Sequence, residues 1–272
     1  MSEKNIIDKT KMPVTKKSIL EDLKDLGIEK GDTLLVHSSL SSLGWVCGGA
    51  QSVIMALIDT VGEEGTLVMP THSGDWSDPV EWGNPSVPEE WHQIIYDNMP
   101  AYDPNLTPTR GMGGIPELFR TFPNVIRSSH PQVSFCASGK FKEKIIENHP
   151  LTPQFGMESP LGTLYNLEKT KVLLLGVGYG SCTSFHLGET LVGDKVPKKR
   201  NGTAMMVDNK RSWKWFDDYE YNADDFSKLG KAFEGKYKIT KQFVGNAESR
   251  LFSLREAVDF SEEWLLENRE VD

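Results

Sequence analysis

KVLLLGVGYGSCTSFHLGETL, residues 171–191, is the stretch from which the fold is read. An apolar strand from Val172 to Leu175 runs into a turn carrying Gly176, Gly178 and Gly180. Small hydroxyl residues follow, then His186 and Glu189, which the pattern predicts on the first turns of a helix. Open α/β sheets keep their chemistry at the carboxyl ends of strands, where a tight turn hands the chain to a helix. His186 is delivered to such a position. Glu189, three residues on, shares its helical face and either orients the imidazole or helps to bind a cationic substrate.

Working outward, the same alternation recurs. TKKSILEDLKDLGIEKGD predicts an opening helix with Thr15 as N-cap and Gly27 as terminator, since Ile19, Leu20, Leu23 and Leu26 fall at helical spacing. TLLVHSS and TLVMPTHS read as strands, SVIMALIDTVG and GIPELFRTF as helices, SFCASG as a strand and FKEKIIENH as a helix. Residues 74–110, rich in Trp, Pro, Asn and Asp, form a long excursion with a short helix near Glu89 to Asp97. After the KVLLLG strand come polar strands, TAMMVDNKRSWKWFDDYEY, turning at DNKR, and two helical stretches, DFSKLGKAFE and LREAVDFSEEWLLENRE. Strands alternating with helices predict an α/β fold: a single-domain three-layer α/β/α sandwich, with a mixed sheet that includes the polar strands. The domain spans residues 1–272, with 1–15 a flexible N-terminal segment.

Composition narrows the function. The 272 residues, 38% hydrophobic and 25% charged, suit a globular protein with a sizeable core. A net charge of −9 argues against a nucleic-acid or anionic-membrane partner and is compatible with a cationic small-molecule substrate. The three cysteines, Cys47, Cys136 and Cys182, are too few and too scattered for a disulfide framework or structural zinc. With neither a signal-peptide core nor an apolar run of membrane-spanning length, the expected compartment is the cytoplasm.

Two further loops carry chemistry. In HSSLSSLGWVCGGA, residues 37–50, serines and glycines lie between a strand and a helix. Such a loop exposes N–H groups and hydroxyls to a phosphate or a pantetheine amide; it is equally a glycine-rich turn with serine as cap. No Gly-Lys-Ser/Thr follows, so it is not a P-loop. In TPTRGMGGIPE, residues 107–117, Arg110 brings a planar fork of donors suited to phosphate beside glycines that let backbone approach a ligand. GVGYGS lacks the third glycine and the distal acid of a dinucleotide fingerprint. Cys182 lies four residues before His186, which suggests a Cys–His nucleophile pair; a small buried cysteine is the commoner outcome and the preferred reading. His37, His72 and His186 show none of the close spacings of a zinc site, and no metal is expected.

Taken in order, HSSLSSLG, TLVMPTHS, TPTRGMGGIPE, RSSHPQVSFCASG, SPLGTLY and LLLGVGYGSCTSFHLGE span most of the chain from about Lys16 to Phe260. Together they resemble the aminoglycoside N3-acetyltransferase family. The resemblance implies an enzyme that transfers acetyl from acetyl-CoA directly to an amine, the 3-amino group of a 2-deoxystreptamine aminoglycoside, without a metal or a covalent acetyl-enzyme. Carried over by position, it makes His186 the general base, with Glu189 its nearest partner. His37, Ser38, Ser39, Leu40, Leu43, Gly44, Ser73, Thr109, Arg110, Gly111, Met112 and Gly113 would line the coenzyme A cleft. Asp218 and Glu220, from FDDYEY, would hold substrate ammonium groups or support His186. GDWSDPVEWGNPSVPEEW and the WKWFDDYEY region match no resistance enzyme closely, so an acetyltransferase for a different amine stands as an alternative. A Cys-dependent acyl-transfer enzyme and a non-catalytic coenzyme A sensor are the readings from other classes.

Overall fold

The computed structural model describes residues 2–269. Its elements begin with α1 (Glu3–Lys9), α2 (Lys16–Asp25), β1 (Thr33–Ser38), α3 (Gly49–Val61) and β2 (Thr66–Pro70). The excursion holds short 3-10 turns and α4 (His92–Asn98), and leads to α5 (Gly114–Phe119), β3 (Ile126–Arg127), β4 (Phe135–Gly139) and α6 (Lys142–Ile146). Then come α7 (Pro160–Asn166), β5 (Thr170–Leu175), α8 (Phe185–Val192), β6 (Lys198–Val207) and β7 (Lys210–Tyr219). The chain closes with α9 (Phe226–Lys236), β8 (Thr240–Val244), β9 (Ala247–Ser253) and α10 (Leu254–Asn268).

Strands β1, β2 and β5 are almost uninterrupted apolar runs because both of their faces are covered. They pair in parallel, with β1 between β2 and β5, and Thr33 to Ser38 of β1 run in register with Thr170 to Leu175 of β5. The sheet order is β3-β4-β2-β1-β5-β9-β8, and the outer strands run antiparallel to their inner neighbours, so the sheet is mixed. Side-chain alternation assigns the two cores. Leu34 and Val36 pack with Ile19, Leu23, Ile54, Leu57 and Phe119 from α2, α3 and α5. Leu35, Val172 and Leu174 pack on the other face with Phe185, Phe226, Phe233 and Val258 from α8, α9 and α10. The result is the expected α/β/α sandwich. No described helix is long and apolar enough to cross a membrane.

The Thr15 cap forms as expected. The Ser18 amide donates to Thr15 Oγ1 (3.1 Å) and the Thr15 amide donates to Ser18 Oγ (3.0 Å), a reciprocal box with serine at the third position.

Two expectations are corrected. The polar strands do not join the main sheet; β6 and β7 form a separate two-stranded sheet. Their burial is patchy, too polar for a strand covered on both faces. The turn is at Asp208 and Asn209, both with positive φ, which suits a tight hairpin. The antiparallel edge of the main sheet is instead β8 and β9, which turn at Gly245–Asn246 and which the periodicity reading passed over. The N-terminal segment, expected to be flexible, forms α1: Glu3 Oε1 accepts from Trp45 Nε1 (3.2 Å), and Thr10 Oγ1 accepts from the Trp45 amide (2.8 Å).

Gly230 lies inside α9, where glycine costs about 1 kcal/mol relative to alanine. A Cβ there would overlap the ring of Tyr179, which is buried in the turn leading to His186. Gly230→Ala is therefore expected to lower stability by about 1–3 kcal/mol despite the gain in helix propensity, read as a lower urea midpoint. An unchanged or higher midpoint would show that Tyr179 yields without cost.

Candidate active site

The turn after β5 depends on Gly176, whose φ is 71° and whose absent Cβ would stand 2.9 Å from side-chain carbons of both Ser42 and Ala247. From there a 3-10 turn at Tyr179–Ser181 leads to α8. His186 lies in the first turn of α8 and Glu189 one turn further in, fully buried. His186 Nδ1 contacts Glu189 Oε2 at 2.5 Å. Against an ionised carboxylate this nitrogen carries the proton, so neutral His186 presents its lone pair at Nε2. Among the described residues Nε2 has no hydrogen-bond partner.

The second oxygen of Glu189 is also held. Oε1 accepts from the Asn222 amide (3.0 Å) and from Arg269 Nη1. Arg269 in turn clamps Asp225 with Nε and Nη2 (2.7 and 2.6 Å) and donates to the Asn222 carbonyl. A buried carboxylate without such partners would be costly. The imidazole itself is packed between rings. Phe155 stacks on it (4.8 Å between centroids, 12° between planes), Tyr221 meets it edge-on and Phe226 lies 4.8 Å away, tilted.

His186 forms one wall of a cavity of about 360 Å³ whose lining includes His37, Ser38, His72, Gly111, Met112 and Thr183. A second space of about 570 Å³, bounded by Ser39, Leu40, Gly44, Trp45 and Gly113 among others, shares Ser38, Gly111 and Met112 with the first. The two make one cleft at the carboxyl ends of β1, β2 and β5. Eight expected cleft residues border it: His37, Ser38, Ser39, Leu40, Gly44, Gly111, Met112 and Gly113.

The other expected residues lie elsewhere. Leu43 is fully buried in the core. Ser73 is internal, donating to the Pro108 carbonyl (2.6 Å) and accepting from Arg127 Nη2 (2.8 Å). The Thr109 amide donates to Glu117 Oε2 (2.8 Å). Arg110 borders neither space and lies exposed, 3.5 Å from Asp75. Asp218 is buried and accepts from Thr152 Oγ1 and from the amides of Gln154 and Tyr219, so it secures the segment that presents Phe155. Burial raises its carboxyl and those hydrogen bonds pull it partly back. Glu220 is exposed on a separate hollow beside Lys195 and Arg269.

Reading by motif missed Phe155, Tyr221, Arg269 and the Asn222 amide. Each reaches His186 or Glu189 from a distant part of the chain, and no local spacing announces it.

Cys182 is buried with its sulfur 3.2 Å from Ser184 Oγ, and burial pushes the thiol up to about 12. A nucleophilic cysteine requires the opposite shift. Among the described residues no group of three or more His, Cys, Asp or Glu side chains is placed to hold a metal ion.

Burial, and secondarily the nearby His186, holds His37 and His72 down to about 3, and burial holds His130 at about 4. All three are uncharged at neutral pH in the folded protein. The unfolded chain protonates these histidines near 6.5, so below that pH it binds protons that the native state refuses. Stability is therefore complete above pH 6.5 and falls as pH drops towards 4 and 3, at up to about 1.4 kcal/mol per histidine per pH unit. The urea midpoint is expected to fall clearly between pH 7 and pH 5, before carboxylate protonation dominates. A flat profile over that interval would contradict the buried neutral imidazoles.

The sequence profile of the family described as Aminoglycoside 3-N-acetyltransferase matches residues 35–266. The chain is 53% identical to the SPbeta prophage-derived aminoglycoside N(3′)-acetyltransferase-like protein YokD of Bacillus subtilis (strain 168), over 97% of each chain. The crystal structure of YokD superposes with a TM-score of 0.95, covering 97% of this chain and 98% of that one. Aminoglycoside N(3)-acetyltransferase VII of Streptomyces paromomycinus is 33% identical over 98% of this chain and 96% of its own. A structure described as AAC-IIIb binary with CoASH is 27% identical, covers 96% and 99% of the two chains, and has a TM-score of 0.83.

Proposed function

The chain belongs to the aminoglycoside 3-N-acetyltransferase family, and from that premise we propose that it acetylates the 3-amino group of a 2-deoxystreptamine aminoglycoside with acetyl-CoA, using His186 as general base. The observation that carries this reading is the end of the cleft: a histidine whose Nδ1 is fixed by a buried carboxylate and whose Nε2 is free for a proton. An amine acceptor enters mostly protonated and must lose a proton before its lone pair can attack. His186 Nε2 takes the proton that the ammonium must lose; the freed amine attacks the thioester carbonyl, the C–N bond forms as the C–S bond breaks, and the second proton leaving the nitrogen is taken up by the departing thiolate. Glu189 holds the ring in the tautomer that can do this and stabilises the imidazolium. Phe155 and Tyr221 restrict the ring to one orientation.

The residues along the cleft suit an acyl-pantetheine arm. The outer walls are mostly apolar and glycine-rich, and the inner end beside His186 carries more polar atoms. His37 Nε2, Ser38 Oγ and His72 Nε2 are buried there without a protein partner, so hydrogen-bonding atoms are available to a ligand of amides and a thioester carbonyl. The net charge of −9 favours a cationic acceptor. A covalent acetyl-cysteine route is disfavoured by the suppressed ionisation of Cys182.

His186→Ala is expected to lower kcat by about 10²- to 10⁴-fold, measured as thiol release with an aminoglycoside acceptor, and to leave the calorimetric affinity for coenzyme A nearly unchanged. Retained turnover would refute the general base, and joint loss of binding and melting temperature would assign the residue to structure. In the same assay Cys182→Ala is expected to keep turnover within the parent's order of magnitude; its inactivation in a protein that still binds coenzyme A would restore the thiol mechanism.

A further inference from the structure

Among the described residues no lysine or arginine borders the cleft. Burial holds His37 and His72, which border the inner space, uncharged at neutral pH. A coenzyme A molecule whose thioester reaches His186 carries its pyrophosphate and 3′-phosphate towards the other end. Arg110, the one guanidinium expected on that path, is turned to Asp75. Beyond the outer space lies a third, of about 540 Å³, which shares Ile6, Ser41 and Gly44 with it. Lys9 and Lys11 border this third space, together with Phe243 and Asn246. Both lysines are exposed, and neither takes part in an ion pair among the described residues. Phe243 is 61% exposed on the edge strand β8.

Resting on the acetyl-CoA reading above, we propose that Lys9, Lys11 and Phe243 form the subsite for the 3′-phosphorylated adenosine end of coenzyme A. The ammonium groups take the phosphates as mobile point charges, and the ring offers a face on which adenine stacks. The run of three adjoining spaces leads from the base to this positive end without passing another lysine or arginine. Helix α1 makes the subsite possible. Glu3 and Thr10 fasten it to Trp45, and this places Ile6 between the second and third spaces with Lys9 and Lys11 beyond. Both lysines precede residue 35, where the match to the family profile begins.

The test is calorimetry on the full chain with coenzyme A, dephospho-coenzyme A and adenosine 3′,5′-bisphosphate. The parent is expected to bind coenzyme A roughly tenfold more tightly than the dephospho form, as the loss of one charged hydrogen bond implies. Lys9→Glu/Lys11→Glu is expected to abolish that ratio and the binding of the bisphosphate, and Lys9→Ala/Lys11→Ala, a milder change to α1, is expected to reduce both. Phe243→Ser is expected to weaken all three ligands while preserving the ratio. Turnover with acetyl-pantetheine, which lacks the nucleotide, is expected to be the same in parent and variants. The inference is overturned if the parent does not distinguish the two coenzymes, or if the lysine variants keep the parental ratio. Bisphosphate binding that is lost in the lysine variants, without acetyl transfer by the parent, would uphold the subsite and sink the acetyltransferase reading.

Discussion

The parallel pairing of β1 with β5 is the constraint from which the site follows. Thr33 to Ser38 lie beside Thr170 to Leu175 in unbroken register, so the loop opening at Ser38 and the turn opening at Gly176 leave the sheet side by side. On one side of this pair the chain proceeds through α3, which covers one face, to β2; before β5 it passes α7, which packs against the opposite core. Connections that leave to opposite faces open a crevice at the carboxyl ends of the strands, the topological switch point of α/β sheets. His37 and Ser38 enter the crevice from β1, His72 from just past β2 and His186 from just past β5. A one-residue slip of β5 would exchange its two faces and move the turn that delivers His186.

A second constraint is electrical. Glu189 places a carboxylate at a fully buried position, and in that setting removing its partner typically costs 3–5 kcal/mol. Arg269 meets it from beyond the end of α10, and the same guanidinium grips Asp225 at the start of α9 and the carbonyl of Asn222. One cation thereby ties together α8, α9, the segment after β7 and the segment after α10 around His186. The arrangement that orients His186 also fastens the C-terminal helix, so the stability of that corner and the geometry of the chemistry are coupled.

How much of this was legible in the sequence differs by residue. The strand, glycine turn and helix that carry His186 and Glu189 were readable because each is local: apolar run, closely spaced glycines, helical spacing. The mixed α/β/α layering and the Thr15 cap were readable for the same reason. Arg110 shows where local reading stops, since a guanidinium beside glycines looks like a phosphate site until Asp75, far back in the sequence, claims it. Asp218 looked available for a substrate ammonium, and its three donors come from Thr152, Gln154 and Tyr219. The hairpin β6 and β7 was visible as strands, but nothing in its alternation said that it would stand apart from the main sheet. Strands β8 and β9 are short and charged at the edge, and their Gly245–Asn246 turn is the signal that would have revealed them. The docking of α1 depends on Trp45, a contact that no helical pattern contains.

The buried imidazoles bear on which ligand this crevice can admit. His37 and His72 line the same cavity as His186, and a protonated imidazole about 4 Å from an entering ammonium would oppose it by about 4 kcal/mol at an effective dielectric constant of 20. Burial removes that opposition by keeping both rings neutral, first through desolvation and then through the neighbouring His186. The neutral rings still offer a hydrogen-bonding nitrogen each, since neither Nε2 is satisfied within the protein. A cavity floor that is polar but uncharged suits an amine that arrives as a cation and reacts as a neutral nucleophile. In the proposed subsite the positive charges stand instead at Lys9 and Lys11, which would separate attraction for phosphate from the place where an ammonium approaches.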